Sequence, residues 1–232
     1  MSVRDVFPEA EAFVIGEHAL DGQLDEAAEH HLRRVARVRP GDAVAVGDGR
    51  STVQLARLSA SGIELRGQPV AIDAHVYPLT VGFGLLKGDR NDLVVQKLTE
   101  SGVDVIQPLQ ATRTVVRWSP EQRSHHVARW QAIVRSAAQQ CWRPTLPTVC
   151  SIEESTSWVA GSRAGRAEAG ATCLDRRFDQ LLVGPEGGWT AEEFADVAPV
   201  SLGPYTLRGE TAAIAAGVTL ALWRMRHERN TR

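Results

Sequence analysis

Leu181-Leu-Val-Gly-Pro-Glu-Gly-Gly-Trp-Thr-Ala-Glu-Glu193 is the stretch on which the fold class of this chain turns. An apolar run suited to a buried strand leads into Gly184–Gly188, where three of five residues are glycine and one is proline. Glycines at a strand end accept backbone conformations closed to other residues and let a ligand approach the main chain. Thr190 followed three positions later by Glu193 reads as a capping box and predicts a helix over Ala191–Val197. Strand, tight turn and helix start together are where open α/β folds place small-molecule ligands. A plain strand-to-helix connection fits the same residues.

Outward from this stretch, strands and helices alternate. Leu79–Leu86 reads as a buried strand, Asp89–Glu100 as a helix, Val103–Pro108 as a strand and Glu121–Gln140 as a long helix. Ala171–Leu174 and Leu181–Val183 are further strands, Val200–Leu202 a short one, and Thr211–Arg226 the closing helix. The alternation predicts a mainly parallel sheet covered on both faces. Gly161–Gly170 is small, charged and glycine-punctuated, and reads as a mobile connection. Residues 11–67 differ: short strands at Ala12–Ile15, Val44–Val46, Thr52–Leu58 and Ile63–Leu65, one helical pattern over Asp25–Arg37, and Asp-Gly and Ser-Gly turns. That rhythm predicts a small barrel or curled sheet, with the junction in Gly67–Pro78. The domains expected are therefore 1–72 and 73–232.

At 232 residues the chain is long enough for one large or two modest domains, and its formal net charge of −2 neither demands nor excludes a polyanionic partner. Of 26 basic residues only Lys87 and Lys97 are lysines. Cys141, Cys150 and Cys173 show no metal-like spacing, which predicts a reducing cytosol and no disulfides. No signal peptide and no bilayer-length apolar run is recognisable, so a cytoplasmic protein without membrane contact is expected. His30, His31, His125 and His126 come in adjacent pairs that diverge on a helix, and no metal is expected.

A second glycine-bearing element, Ser201-Leu-Gly-Pro-Tyr-Thr-Leu-Arg-Gly-Glu-Thr211, follows the first by about twenty residues and again sits between a strand and a helix start. The pair resembles the knotted SPOUT methyltransferases and, more closely, the bacterial 16S rRNA (uracil-N3)-methyltransferase family. The likeness extends to Leu85–Arg90, Gln96–Val103, Ile106–Leu109, Thr112–Arg117, Ala137–Arg143 and His31–Asp42, and so covers nearly the whole chain. It departs from the family at Tyr205, where arginine is usual, at Gln139 in place of glutamate, and at Trp142 in place of a small residue.

The resemblance implies an α/β domain with a deep C-terminal trefoil knot, a PUA-like N-terminal β-barrel, and homodimers formed through the knot. It implies S-adenosyl-L-methionine held by Val183, Gly184, Pro185, Glu186, Gly187 and Gly188 on one side, and by Leu202, Gly203, Leu207, Thr211 and Ala212 on the other. The substrate implied is 16S rRNA of the small ribosomal subunit, methylated at a uracil N3. Because N3–H must lose its proton to attack, a base or a cation that stabilises the uracil anion is required. Arg208 suits the second role, its guanidinium fork matching carbonyl or phosphate oxygens. Glu210 reads either as the base or as the residue orienting Arg208. For RNA, the likeness and the arginine placement single out Arg33, Arg34, Arg37, Lys87, Arg113, Arg117 and Arg143. Two other readings fit: a related enzyme acting on another RNA or on a ribose 2′-hydroxyl, and a non-catalytic ribosome-binding factor that kept the fold.

Overall fold

A computed structural model describes residues 1–73, 75–172 and 178–230. The chain forms two compact units, Met1–His75 with Arg135–Leu146, and Val76–Val134 with Pro147–Arg232.

In the first unit, helix α1 (Val3–Val6) is held by a capping box in which Ser2 and Asp5 bond each other's backbone N–H. Strand β1 (Ala12–Ile15) is followed by α2 (Glu26–His30), whose Asp25 cap accepts from the Ala28 N–H at 2.7 Å. The helix expected over Asp25–Arg37 is α-helical only to His30; a π-helical turn occupies His31–Val35, and Arg37 has a φ of 56°. Strands β2 (Ala43–Gly47), β3 (Thr52–Leu58) and β4 (Ile63–Ala71) complete a sheet in the order β1-β2-β3-β4, with β1 and β2 parallel. Its two faces bury separate apolar clusters, one around Val14, Leu32, Val46 and Leu58, the other around Phe13, Ile15, Ala45 and Val53. Two of the three residues that depart from the family pattern are engaged here. The Gln139 carbonyl oxygen accepts from the Ile15 N–H at 2.9 Å, and Trp142 stacks on Phe13 with ring centroids 6.3 Å apart.

The second unit is built on parallel strands. In chain order they are β5 (Thr80–Gly84), β6 (Val105–Gln110), β7 (Thr148–Val149), β8 (Glu153–Glu154), β9 (Ala164–Ala167), β10 (Gln180–Val183) and β11 (Ala198–Val200). The sheet order is β11-β9-β10-β5-β6-β7, with β8 also on β6, and every pair is parallel. Helices α3 (Arg90–Glu100), α4 (Pro120–Gln140) and α5 (Gly209–Asn230) accompany it; α4 continues into the first unit from Arg135. Leu181 and Leu182 of β10 are fully buried, each contributing about 2 kcal/mol of apolar burial. The next residues are forced close to β5: a Cβ on Gly84 would lie 2.5 Å from Pro185 Cδ. Small residues on α5 serve its packing against α3, since a Cβ on Gly217 would meet Leu98 Cδ2 at 2.7 Å.

Four further expectations are corrected. Gly161–Gly170 is not merely a connection: it contains β9, paired on both sides with β10 and β11. Its backbone bonds, not an apolar pattern, make the strand. No helix forms over Ala191–Val197; the segment is a run of turns in which Phe194 has a φ of 57°. Half of the expected box exists, the Thr190 N–H donating to Glu193 at 2.7 Å, but Glu193 is drawn into tertiary contacts. The closing helix starts at Gly209, two residues before Thr211. The strand expected at Ala171–Leu174 is absent at Ala171 and Thr172; Cys173 and Leu174 lie outside the described residues.

Candidate functional site

Four chain segments meet at the carboxyl ends of β9, β10 and β11, where they enclose a cavity of about 810 Å³. The first is the Gly184–Gly188 turn, closed by a 2.8 Å bond from the Gly188 N–H to the Pro185 carbonyl. Gly188 takes a φ of 68°, a left-handed conformation that an L side chain would strain. The second runs from Ser201 to the start of α5, where the Ala212 N–H bonds the Arg208 carbonyl at 2.8 Å. The third is Arg166–Ala169 at the end of β9, and the fourth is Arg90 at the start of α3.

Ten of the residues expected to form the site line the cavity: Val183–Glu186, Gly188, Leu202, Gly203, Leu207, Arg208 and Ala212. Gly187, Glu210 and Thr211 stand behind or beside its wall. Gly187 is backed by Arg113, whose Nη1 donates to the Gly187 and Trp189 carbonyls at 3.2 Å each. Thr211 is exposed in the first turn of α5. The Glu210 side chain is 14% exposed, and its Oε2 is buried without a hydrogen bond.

Two contributors escaped the sequence reading. Arg90 Nη1 lies 2.8 Å from Glu186 Oε1 and 3.7 Å from Glu210 Oε2. Arg166 pairs with Glu168 at 2.7 Å. For Arg90 the only sequence signal was its place after a Gly-Asp pair and before a helical pattern. Arg166 and Glu168 carry the two-residue spacing of one strand face, but too few apolar neighbours to mark a strand.

Beyond the cavity wall, Glu193 ties three loops. Its Oε1 accepts from the Thr112 N–H at 2.8 Å and from the Ser155 hydroxyl, and its Oε2 from the Thr190 N–H. Burial works to raise its pKa, but the bonds from Ser155, Thr190 and Thr112 outweigh it and hold the carboxyl below the ordinary carboxylate range. Beside it, Phe194 packs edge-on to Trp189, a cavity-lining residue, at 4.9 Å, and to Trp158 at 6.1 Å.

The basic residues expected to meet RNA are dispersed. In the first unit, Arg33 is occupied by Glu29 at 2.9 Å and by the Ser59 and Ala60 carbonyls. Arg34 and Arg37 are exposed, and Arg143 is half-buried near Thr145. In the second, Lys87 and Arg117 are exposed, Arg117 bonding the Thr112 carbonyl at 2.9 Å. His126 stacks on Trp118 with centroids 3.8 Å apart. Among the described residues no three His, Cys, Asp or Glu side chains are grouped to hold a metal, and no helix is long and apolar enough to cross a membrane.

Ligand-accepting loops at the carboxyl ends of parallel strands define the second unit as an α/β domain with a nucleotide-sized cavity. The RNA methyltransferase domain model matches residues 74–221, and the RNA methyltransferase PUA domain model matches residues 24–66. The chain belongs to the RNA methyltransferase family. It is 32% identical over 228 residues to ribosomal RNA small subunit methyltransferase E of Mycobacterium tuberculosis, covering 83% of this chain and 84% of that one. To the protein of the same name from Synechocystis it is 32% identical, over 83% of this chain and 70% of the relative. The crystal structure of the Neisseria gonorrhoeae ribosomal RNA small subunit methyltransferase E, bound to S-adenosyl methionine, superposes with a TM-score of 0.79 at 30% identity. That match covers 91% of this chain and 97% of that one.

Proposed function

We propose that this protein transfers a methyl group from S-adenosyl-L-methionine to N3 of a specific uridine in the 16S rRNA of the small ribosomal subunit. The observation that carries the reading is the meeting of the Gly184–Gly188 turn and the Leu202–Ala212 segment on one cavity, with Arg208 in its wall. The cavity suits the cofactor: about 810 Å³ accommodates a nucleoside joined to an amino acid, and Gly203 leaves open space where a Cβ would stand. Val183, Pro185, Leu202 and Leu207 offer apolar walls to a purine, and the glycine-rich main chain offers donors and acceptors to its edge.

S-adenosylmethionine supplies, when bound, a methyl group on a cationic sulfur whose leaving thioether is neutral. The chain must therefore act on the uracil. Arg208 would hold the uracil oxygens and stabilise the anion left when N3 loses its proton. Glu210, near Arg90 and Arg208 at the start of α5, would take that proton or orient Arg208. Residues 73–232 would carry this chemistry, with the C-terminal segment knotted as in the family. Residues 1–72 would serve as a PUA-like RNA-binding domain, with Arg34, Arg37, Lys87, Arg117 and Arg143 the candidates for phosphate contact. Arg33 and Arg113 each donate to two of the protein's own carbonyls, against one for Arg117, and would act by shaping surfaces.

A homodimer is proposed on a separate observation. Val218, Leu222 and Met225 of α5 are 43%, 50% and 53% exposed and spaced four and three apart, so they form an apolar stripe on one helix face. The protein would work in the cytoplasm, without metal or membrane. Calorimetry with S-adenosylmethionine tests the cofactor reading: micromolar binding is expected, and no heat at millimolar ligand would refute it.

A further inference from the structure

We infer that Arg90 is a positioning residue that clamps the two ligand loops together through Glu186 and Glu210. The inference rests on the cofactor reading above and adds a residue that reading does not use. Glu186 lines the cavity from the turn after β10, and Glu210 stands beside its wall in the first turn of α5, so the two carboxylates belong to the two different ligand segments. One guanidinium nitrogen serves both, at 2.8 Å and 3.7 Å. Arg90 cannot drift, because its Nε donates to the Lys87 carbonyl at 2.9 Å. The loop behind it is pinned in turn: the buried Asn91 side chain bonds both the N–H and the carbonyl of Leu86, at 2.8 and 2.7 Å.

The carboxylates need this cation. Glu210 Oε2 is buried without a hydrogen bond, and Arg90 is its only ion-pair partner among the described residues. Two carboxylates brought together around a ligand cavity repel unless a charge stands between them. With Arg90 removed, the walls are pushed apart, and the first loss is ligand affinity. A guanidinium reaches both acids at once, whereas an ammonium is a single point charge; lysine should restore the clamp only in part.

Calorimetric binding of S-adenosylmethionine and steady-state kinetics would be measured on wild type, Arg90→Gln, Arg90→Lys, Glu186→Gln and the Arg90→Gln/Glu186→Gln double variant. Circular dichroism would check that each is folded. Arg90→Gln is expected to weaken cofactor binding about tenfold and raise its KM alike, with kcat at saturating cofactor within about threefold of wild type. Arg90→Lys should recover only part of the loss. The double variant should bind about as well as Arg90→Gln alone, because the two residues act as a pair. Unchanged binding in Arg90→Gln, additive single effects, or a fall in kcat at constant KM would overturn the clamp. A wild-type protein that binds no S-adenosylmethionine would instead overturn the proposed function.

Discussion

Glu193 accepts the backbone N–H of Thr112 at 2.8 Å although the two stand 81 positions apart in the chain. The same carboxylate holds the Thr190 N–H and the Ser155 hydroxyl, so one buried acid fixes the loops after β6, β8 and β10. Replacing it with alanine leaves two N–H groups without their acceptor. Glu193→Ala is expected to lose about 3 kcal/mol of stability, read from urea unfolding at neutral pH. A loss below about 0.5 kcal/mol would show the latch to be incidental.

The pH dependence of that latch has a definite sign. Because the folded-state pKa of Glu193 is depressed, its contribution is complete above the unfolded carboxyl value of about 4.3 and is lost as pH falls through the lower folded value. The stability gap between wild type and Glu193→Gln should therefore be constant from pH 8 to about pH 5.5 and narrow only in more acid solution. Chemical unfolding at several pH values checks this, and a gap that opens with acid would contradict it.

Gly84 tests the packing that sets the ligand turn. A Cβ there would lie 2.5 Å from Pro185 Cδ and 2.7 Å from Pro185 N, so backbone would have to move. Gly84→Ala is expected to cost about 2 kcal/mol and to weaken cofactor binding as the turn shifts. Thermal unfolding with and without S-adenosylmethionine reads both effects. A stable variant with full ligand-induced stabilisation would place the strain elsewhere.

The turn itself was legible because an apolar run ending in Gly-Pro-Glu-Gly-Gly is a local signal, and β10 forms where that run predicts. Strand β9 was not, since Ala164–Ala167 carries no apolar period and owes its conformation to pairing with β10 and β11. The helix read into Ala191–Val197 failed for a tertiary reason. Glu193 has the spacing of a cap, but its carboxylate is claimed by residues far away in sequence, and Phe194 turns left-handed. Arg90 was invisible as a site residue for the same reason: its partners, Glu186 and Glu210, are near only in the fold.

The exposed stripe on α5 gives a prediction about assembly. Val218→Asp with Leu222→Asp should convert a dimer to a monomer in light scattering, because two charges would enter an apolar contact. An unchanged dimer would move the interface to another surface.

Arg208 is the residue on which the chemistry depends. Arg208→Ala should lower kcat by about a hundredfold or more while leaving the thermal transition in place. Retained turnover would remove it from the mechanism.

The central claim is that this chain makes N3-methyluridine in small-subunit rRNA. Mass spectrometry of 16S rRNA nucleosides from a strain lacking the gene, with and without the wild-type copy restored, tests it most directly. The modified nucleoside should vanish with the gene and return with it; an unchanged N3-methyluridine level in the deletion would contradict the account.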